Sequence, residues 1–259
     1  MVNSDQTWRK KYLEIFYDIA FLYFAKNWKI YKFIYGASMG SRKWKFNKTD
    51  EQIAKFCLKN FYGISVRERG LIKKIRYYLG FKSVFVFDPT FLIEKNYYLK
   101  IINNYSDINF INSSYIFTYL FSEEEEIIKF IKDSSIQLNF KIFAVKHFHK
   151  DSVKKFLYGI YNCKAVITNS YHGTLFSIIF NKPFITFIYK NGNNERFDTL
   201  KEIFNIENRI IEFGKKPNIN LLSTPLNIEQ NIIDSLKYKS INYLKMNLKN
   251  YKNINKIFV

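Results

Sequence analysis

Residues 165–189 read AVITNSYHGTLFSIIFNKPFITFIY. The run Ala165–Asn169 is short, apolar and rich in β-branched residues, as a strand buried on both faces requires. A polar turn follows, then an apolar helix over Thr174–Phe180 and a second buried strand over Phe184–Tyr189. Strand, helix and strand in this order make a parallel sheet covered by helices.

The same alternation extends in both directions. Upstream lie strands over Tyr115–Phe121 and Phe140–Lys146 and a helix over Ser152–Tyr161. Ser122 and Glu125 form an S-x-x-E capping box for a helix over Glu123–Lys132. Downstream a helix is expected over Arg196–Phe204. Nearer the start, strands Lys32–Ala37, Tyr62–Val66 and Ser83–Phe87 alternate with helices Asp50–Asn60 and Leu71–Leu79, the latter stopped by Gly80. Residues 93–113 are polar and irregular and read as a linker. The fold class is therefore α/β in two domains, 1–97 and 98–259, with a Lys- and Asn-rich tail, 226–259, expected to pack back as helices.

Composition narrows the function classes. The 259 residues hold 41 Lys+Arg and 22 Asp+Glu, a formal charge of +19, with 47% hydrophobic residues. Such a charge suggests an anionic partner. Only seven of the basic residues are Arg, however, and the excess of Lys, Asn, Ile, Phe and Tyr follows from A/T-rich codons alone. Scattered Lys without a basic–aromatic motif argues against nucleic-acid binding. The longest apolar stretch, Ile19–Ala25, is too short to span a bilayer, and the first residues lack a signal-peptide core. Two distant cysteines support neither a disulfide framework nor a zinc site, so a cytoplasmic protein is expected, with a basic surface suited to the inner face of the membrane.

Ligands of open α/β sheets sit at the carboxyl ends of strands. That rule selects SVRERG (65–70), Asp88–Thr90 and NSYHGT (169–174). Arg67 and Arg69 share one side of an extended chain and suit a clamp for carboxylate or phosphate; salt bridges to Glu68 or another loop are the alternative. Ser170 is a candidate N-cap or hydroxyl ligand, and Gly173 permits close backbone approach. His172, near a helix start, can donate a proton or bind phosphate, or can simply bond a neighbouring loop. Arg196 in the first turn of a helix opposes the dipole and needs a partner, ligand or carboxylate. His147 and His149 read as a surface loop, with no third metal ligand in view. Residues 3–8, NSDQTW, are unusually specific for a fold's edge, although a capped helix start also accounts for them.

SDQ-x-W (4–8), YGASMG (35–40), SVRE-x-G (65–70), DPT (88–90), the segment 156–184 and RFDTL (196–200) together resemble the polysaccharide pyruvyl transferase family, over roughly residues 3–210. The resemblance implies two facing Rossmann-like domains arranged as in GT-B glycosyltransferases. The first is expected to be incomplete, because the family carries a further strand–helix block ahead of SDQ-x-W, and Asn3 stands where Gly is usual. It implies transfer of pyruvate from phosphoenolpyruvate to sugar hydroxyls as a cyclic ketal during surface-polysaccharide synthesis, on a glycan or lipid-linked acceptor and without a metal or nucleotide cofactor. By motif match Arg67 and His172 are the catalytic candidates. Arg69, Ser170, Gly173, Thr174, Arg196, Asp88, Ser4 and Asp5 are the substrate-binding ones. A nucleotide-sugar glycosyltransferase and an inactive truncated member are the competing readings.

Overall fold

A computed structural model describes residues 7–11, 19–103, 113–146, 153–192 and 194–255. It is a mixed α/β protein with two parallel sheets flanked by helices, in the manner of Rossmann-like folds. The chain groups into two compact units. The first comprises Met1–Leu92, Asn193–Thr199 and Gln230–Val259; the second comprises Ile93–Gly192 and Leu200–Glu229.

The first unit holds β1 (Phe33–Ala37), β2 (Gly63–Val66) and β3 (Val84–Phe85) in the order β1-β2-β3, all parallel. Helix α1 (Lys48–Leu58) opens with a reciprocal capping box between Asn47 and Asp50. Helix α2 (Arg69–Lys74) runs on as a π-helical turn, Ile75–Leu79, and ends at Gly80 with φ +82°. That left-handed stop is the one expected from the sequence. Trp8, Phe21, Ile34, Met39, Leu58 and Val66 belong to its core.

The second unit holds β4 (Tyr115–Leu120), β5 (Lys141–Lys146), β6 (Ala165–Thr168), β7 (Phe184–Ile188) and β8 (Ile210–Glu212), parallel throughout. Their order is β5-β4-β6-β7-β8. Its helices are α3 (Lys95–Ile102), α4 (Glu125–Leu138), α5 (Val153–Asn162) and α6 (Tyr171–Ile179). Helix α7 (Glu195–Phe204) contributes its start to the first unit and its end to the second. The tail is one helix, α8 (Gln230–Asn255), in the first unit.

Two local expectations need correction, and one strand falls where none was expected. The stretch read as a linker contains α3, which buries Tyr98 and Ile102, an i,i+4 pair on one helix face. Helix α4 starts at Glu125 with Glu124 as N-cap and no side-chain cap, because Ser122 is engaged elsewhere. The strand β8, three residues long, gave no readable pattern. Among the described residues no helix is long and apolar enough to cross a membrane.

Candidate functional site

The loop leaving β2 meets three other stretches of chain through four consecutive residues. Arg67 is buried, and its guanidinium pairs with Asp88 at 2.5 Å. Asp88 also accepts from the N–H (3.1 Å) and hydroxyl (2.8 Å) of Thr90, which closes the DPT turn after β3. Glu68 is fully buried and accepts from the Ser38 hydroxyl, Met39 N–H (3.0 Å) and Gly40 N–H (2.9 Å). Burial pushes its carboxyl pKa up, against the opposing pull of Ser38, Arg67 and those two amides.

Arg69 is the first residue of α2, and its N–H donates to the Thr199 hydroxyl at 3.1 Å. Glu68, between Arg67 and Arg69, is extended (φ −121°, ψ 117°), and the Arg69 guanidinium lies 5.5 Å from the Phe85 ring centroid. Gly70 leaves room for Glu195: a Cβ there would sit 1.8 Å from Glu195 Oε1. Glu195 in turn pairs with Lys74 at 2.8 Å, and its N–H donates to Gly40 O at 3.1 Å. Arg42 grips Asp198 through two bonds of 2.5 and 2.6 Å. Arg196 is buried, with its guanidinium carbon 5.9 Å from the Phe197 ring centroid.

Trp8, from SDQ-x-W, is buried; its backbone N–H donates to Ser38 O at 3.0 Å and its indole N–H to Ala20 O at 3.3 Å, so the chain's first motif meets the same loop that Glu68 holds. Ser4 and Asp5, like His147 and His149, lie outside the described residues.

In the second unit the sheet order changes direction between β4 and β6, the place where open α/β sheets present a crevice. Helix α6 begins there. Ser170 caps it by accepting from Gly173 N–H at 3.3 Å, as the sequence suggested, although the helix starts three residues earlier than Thr174. Thr174 donates its hydroxyl to Ser170 O at 2.9 Å and meets Thr186 at 2.8 Å. A Cβ on Gly173 would lie 2.6 Å from Thr168 Oγ1, so only glycine fits. His172 is the second residue of α6 and stays partly exposed while Tyr171 and Gly173–Ile178 are buried. A helix start with an exposed imidazole can meet an anion or pass a proton.

Beside it runs a hydrogen-bond chain that sequence reasoning missed. Asn169 accepts from Phe121 N–H at 2.7 Å, which turns its amide nitrogen toward Ser122 O (2.9 Å) and Oγ (3.1 Å). Ser122 Oγ meets the Tyr189 hydroxyl at 2.9 Å, and that hydroxyl donates to Glu124. The Glu124 carboxylate holds the Tyr189 phenol above its ordinary pKa. The signal was available as polar residues ending β4, β6 and β7, but the S-x-x-E pattern drew Ser122 into a cap.

Both cysteines are buried thiols, and burial pushes Cys163 up to about 12. Among the described residues no three His, Cys, Asp or Glu side chains gather as a metal site.

A family model described as polysaccharide pyruvyl transferase matches residues 2–191. A comparison with curated proteins gives no match.

Proposed function

Because the chain belongs to the polysaccharide pyruvyl transferase family, we propose that it moves pyruvate from phosphoenolpyruvate onto two hydroxyls of a surface-polysaccharide sugar, closing a cyclic ketal. The observation that carries this reading is the family match over residues 2–191, which includes five of the six motifs. Two local features support it. A buried guanidinium, oriented by Asp88, stands at the carboxyl end of β2. A partly exposed imidazole stands at the start of α6, beside the switch point of the larger sheet.

In this scheme Arg67 takes the donor's carboxylate or phosphate, with Arg69 and Arg196 assisting and Asp88 as the positioning residue. His172 gives a proton to the vinyl carbon, and positive charge develops at the neighbouring carbon. One sugar hydroxyl bonds that carbon and returns its proton to the imidazole. The carbon–oxygen bond to phosphate then breaks, with the electron pair leaving on phosphate. The second hydroxyl closes the ring, and its proton leaves with the phosphate. Two carbon–oxygen bonds form, one breaks, and the vinyl group becomes a methyl; the scheme calls for no metal or nucleotide.

Phosphate release from phosphoenolpyruvate in the presence of a glycan acceptor tests the reading. His172→Ala is expected to lower turnover by ~10²–10⁴ while leaving the melting temperature unchanged, because the imidazole is partly exposed. A melting shift with a UDP-sugar and none with phosphoenolpyruvate would overturn it in favour of a nucleotide-sugar transferase.

A further inference from the structure

A cleft of about 770 Å³ opens at the amino-terminal end of the three-stranded sheet, where the chain enters β1 and β2. Residues 26–31 and 59–62 line it, at the strand ends opposite the loops described above. Trp28 is 56% exposed, Ile30 48% and Tyr62 62%. Tyr62 stacks on Tyr31 at 4.3 Å, and Trp28 packs edge-on against exposed Phe24 at 5.6 Å. Lys26, Lys29 and Lys59 interleave with these apolar tips.

Charge is one-sided here. No Asp or Glu occurs from Ile19 to Thr49, from Gln52 to Arg67, or after Asp234. The adjoining α8 joins this surface through Asn247, which accepts from the Tyr31 hydroxyl at 3.1 Å. Its Lys245, Met246, Leu248 and Lys249 are all exposed. Codon bias explains lysines in general, but it explains neither an exposed tryptophan nor a surface without carboxylates. Trp8 is buried, and Trp44 stacks on Tyr78 and donates to Glu51 at 2.8 Å, whereas Trp28 stands in solvent.

Amphipathic aromatic rings settle at the level of lipid headgroups, and lysines are drawn to anionic lipid. A soluble polyanion would need the lysines but not the apolar tips. We propose that this face docks on an anionic phospholipid bilayer, with Trp28, Ile30 and Tyr62 entering the headgroup region and Lys26, Lys29 and Lys59 meeting lipid phosphates. The proposal is independent of the pyruvyl-transfer reading.

The test is cosedimentation of the full chain with phosphatidylglycerol–phosphatidylcholine vesicles against pure phosphatidylcholine vesicles. Binding is expected only to the anionic vesicles and is expected to fall as salt rises. Tryptophan emission should shift to the blue on binding, and Trp28→Phe should abolish the shift. Trp28→Ala and the pair Lys29→Glu/Lys59→Glu should each lower partitioning by about tenfold or more. Failure to bind anionic vesicles overturns the proposal. So does binding without a blue shift that Trp28→Ala leaves intact, which would mark a charge-only polyanion surface. A dimer in solution that the same substitutions dissolve, without vesicle binding, would assign the face to a second copy. Should Trp28→Ala fold poorly, quenching of the unmodified chain by brominated anionic lipid decides the matter.

Discussion

Glu68 places a carboxylate where water cannot reach it and then surrounds it with donors from Ser38, Met39 and Gly40. An unfolded glutamate titrates near ~4.3, and the folded carboxyl titrates higher. Between those two values the native state holds a proton that the unfolded state has lost. Its contribution is therefore full below the unfolded pKa and falls as pH rises through the folded one. Urea midpoints measured from pH 4 upward should show that decline in the parent chain and a flatter profile in Glu68→Gln. The neighbouring pair behaves differently. Arg67→Met leaves Asp88 charged and buried, which should cost about 3–5 kcal/mol, while adding Asp88→Leu should restore much of it. A denaturation cycle over the two single variants and the double variant measures the coupling. The sequence singles out Arg67 as an arginine among lysines, and the structure pairs it with Asp88 of another loop; the same criterion also flags Arg209. That guanidinium is buried and donates to the carbonyls of Leu221 (2.8 Å) and Thr224 (2.9 Å), a purely architectural use. Residue type reports a need for a planar donor; the partner that meets it lies elsewhere in the chain, 21 positions away for Asp88.

Helix α6 shows how an element's start is decided by one cap and one gap. Ser170 supplies the cap, and Gly173 supplies the gap that lets the first turn rest against Thr168. Thr168 has no slack to offer, since its hydroxyl donates to Tyr119 O and accepts from Ser170 N–H at 3.0 Å. Gly173→Ala should therefore cost about 1–3 kcal/mol through overpacking and should displace His172 as well. A melting curve and a phosphoenolpyruvate titration of the variant check both parts. Gly70→Ala meets the flexible end of Glu195 rather than a packed wall, so it should give way by releasing the Lys74–Glu195 pair and cost less. Elements with a strong apolar period were legible: all the strands read from the sequence form, except that Ser83–Phe87 shortens to Val84–Phe85. What was missed has a common cause. Ser122 fits a capping box locally, but tertiary bonds to Asn169 and Tyr189 claim its hydroxyl. Helix α3 hides in a polar stretch because only Tyr98 and Ile102 face inward, with Tyr98 set edge-on to Phe176 at 5.1 Å and to Phe180 at 6.1 Å.

At the scale of the whole molecule, the three-stranded sheet depends on a helix that the chain delivers last. Helix α8 has 26 residues and so runs about 39 Å. The Phe87 N–H, just past β3, donates to Ser240 Oγ at 2.7 Å, and Tyr243 donates its hydroxyl to Ile34 O at 2.7 Å. Burial pushes the Tyr243 phenol up to about 12, so it remains a neutral donor at any working pH. A side chain at position 63 would collide with Asn247 at 2.6 Å and Tyr243 at 2.7 Å, so β2 is shaped to receive this helix. Removing residues 230–259 would take Ser240 from the Phe87 amide, would leave the Ile34 carbonyl with the Ser65 hydroxyl (2.8 Å) but without Tyr243, and would uncover the sheet face beneath. A buried polar group without its partner costs about 1–3 kcal/mol, and the apolar area lost adds to that. The second unit keeps its five-stranded sheet and its own core, drawn from Ile116, Ile167, Ile185 and Phe187. Hydrogen exchange on the shortened chain should therefore show amides of β1–β3 losing protection while those of β4, β6 and β7 retain it. Uniform loss across both sheets would mean that the two units unfold as one cooperative body. Tyr243→Phe and Ser240→Ala grade the same effect, each removing one bond while leaving the helix in place.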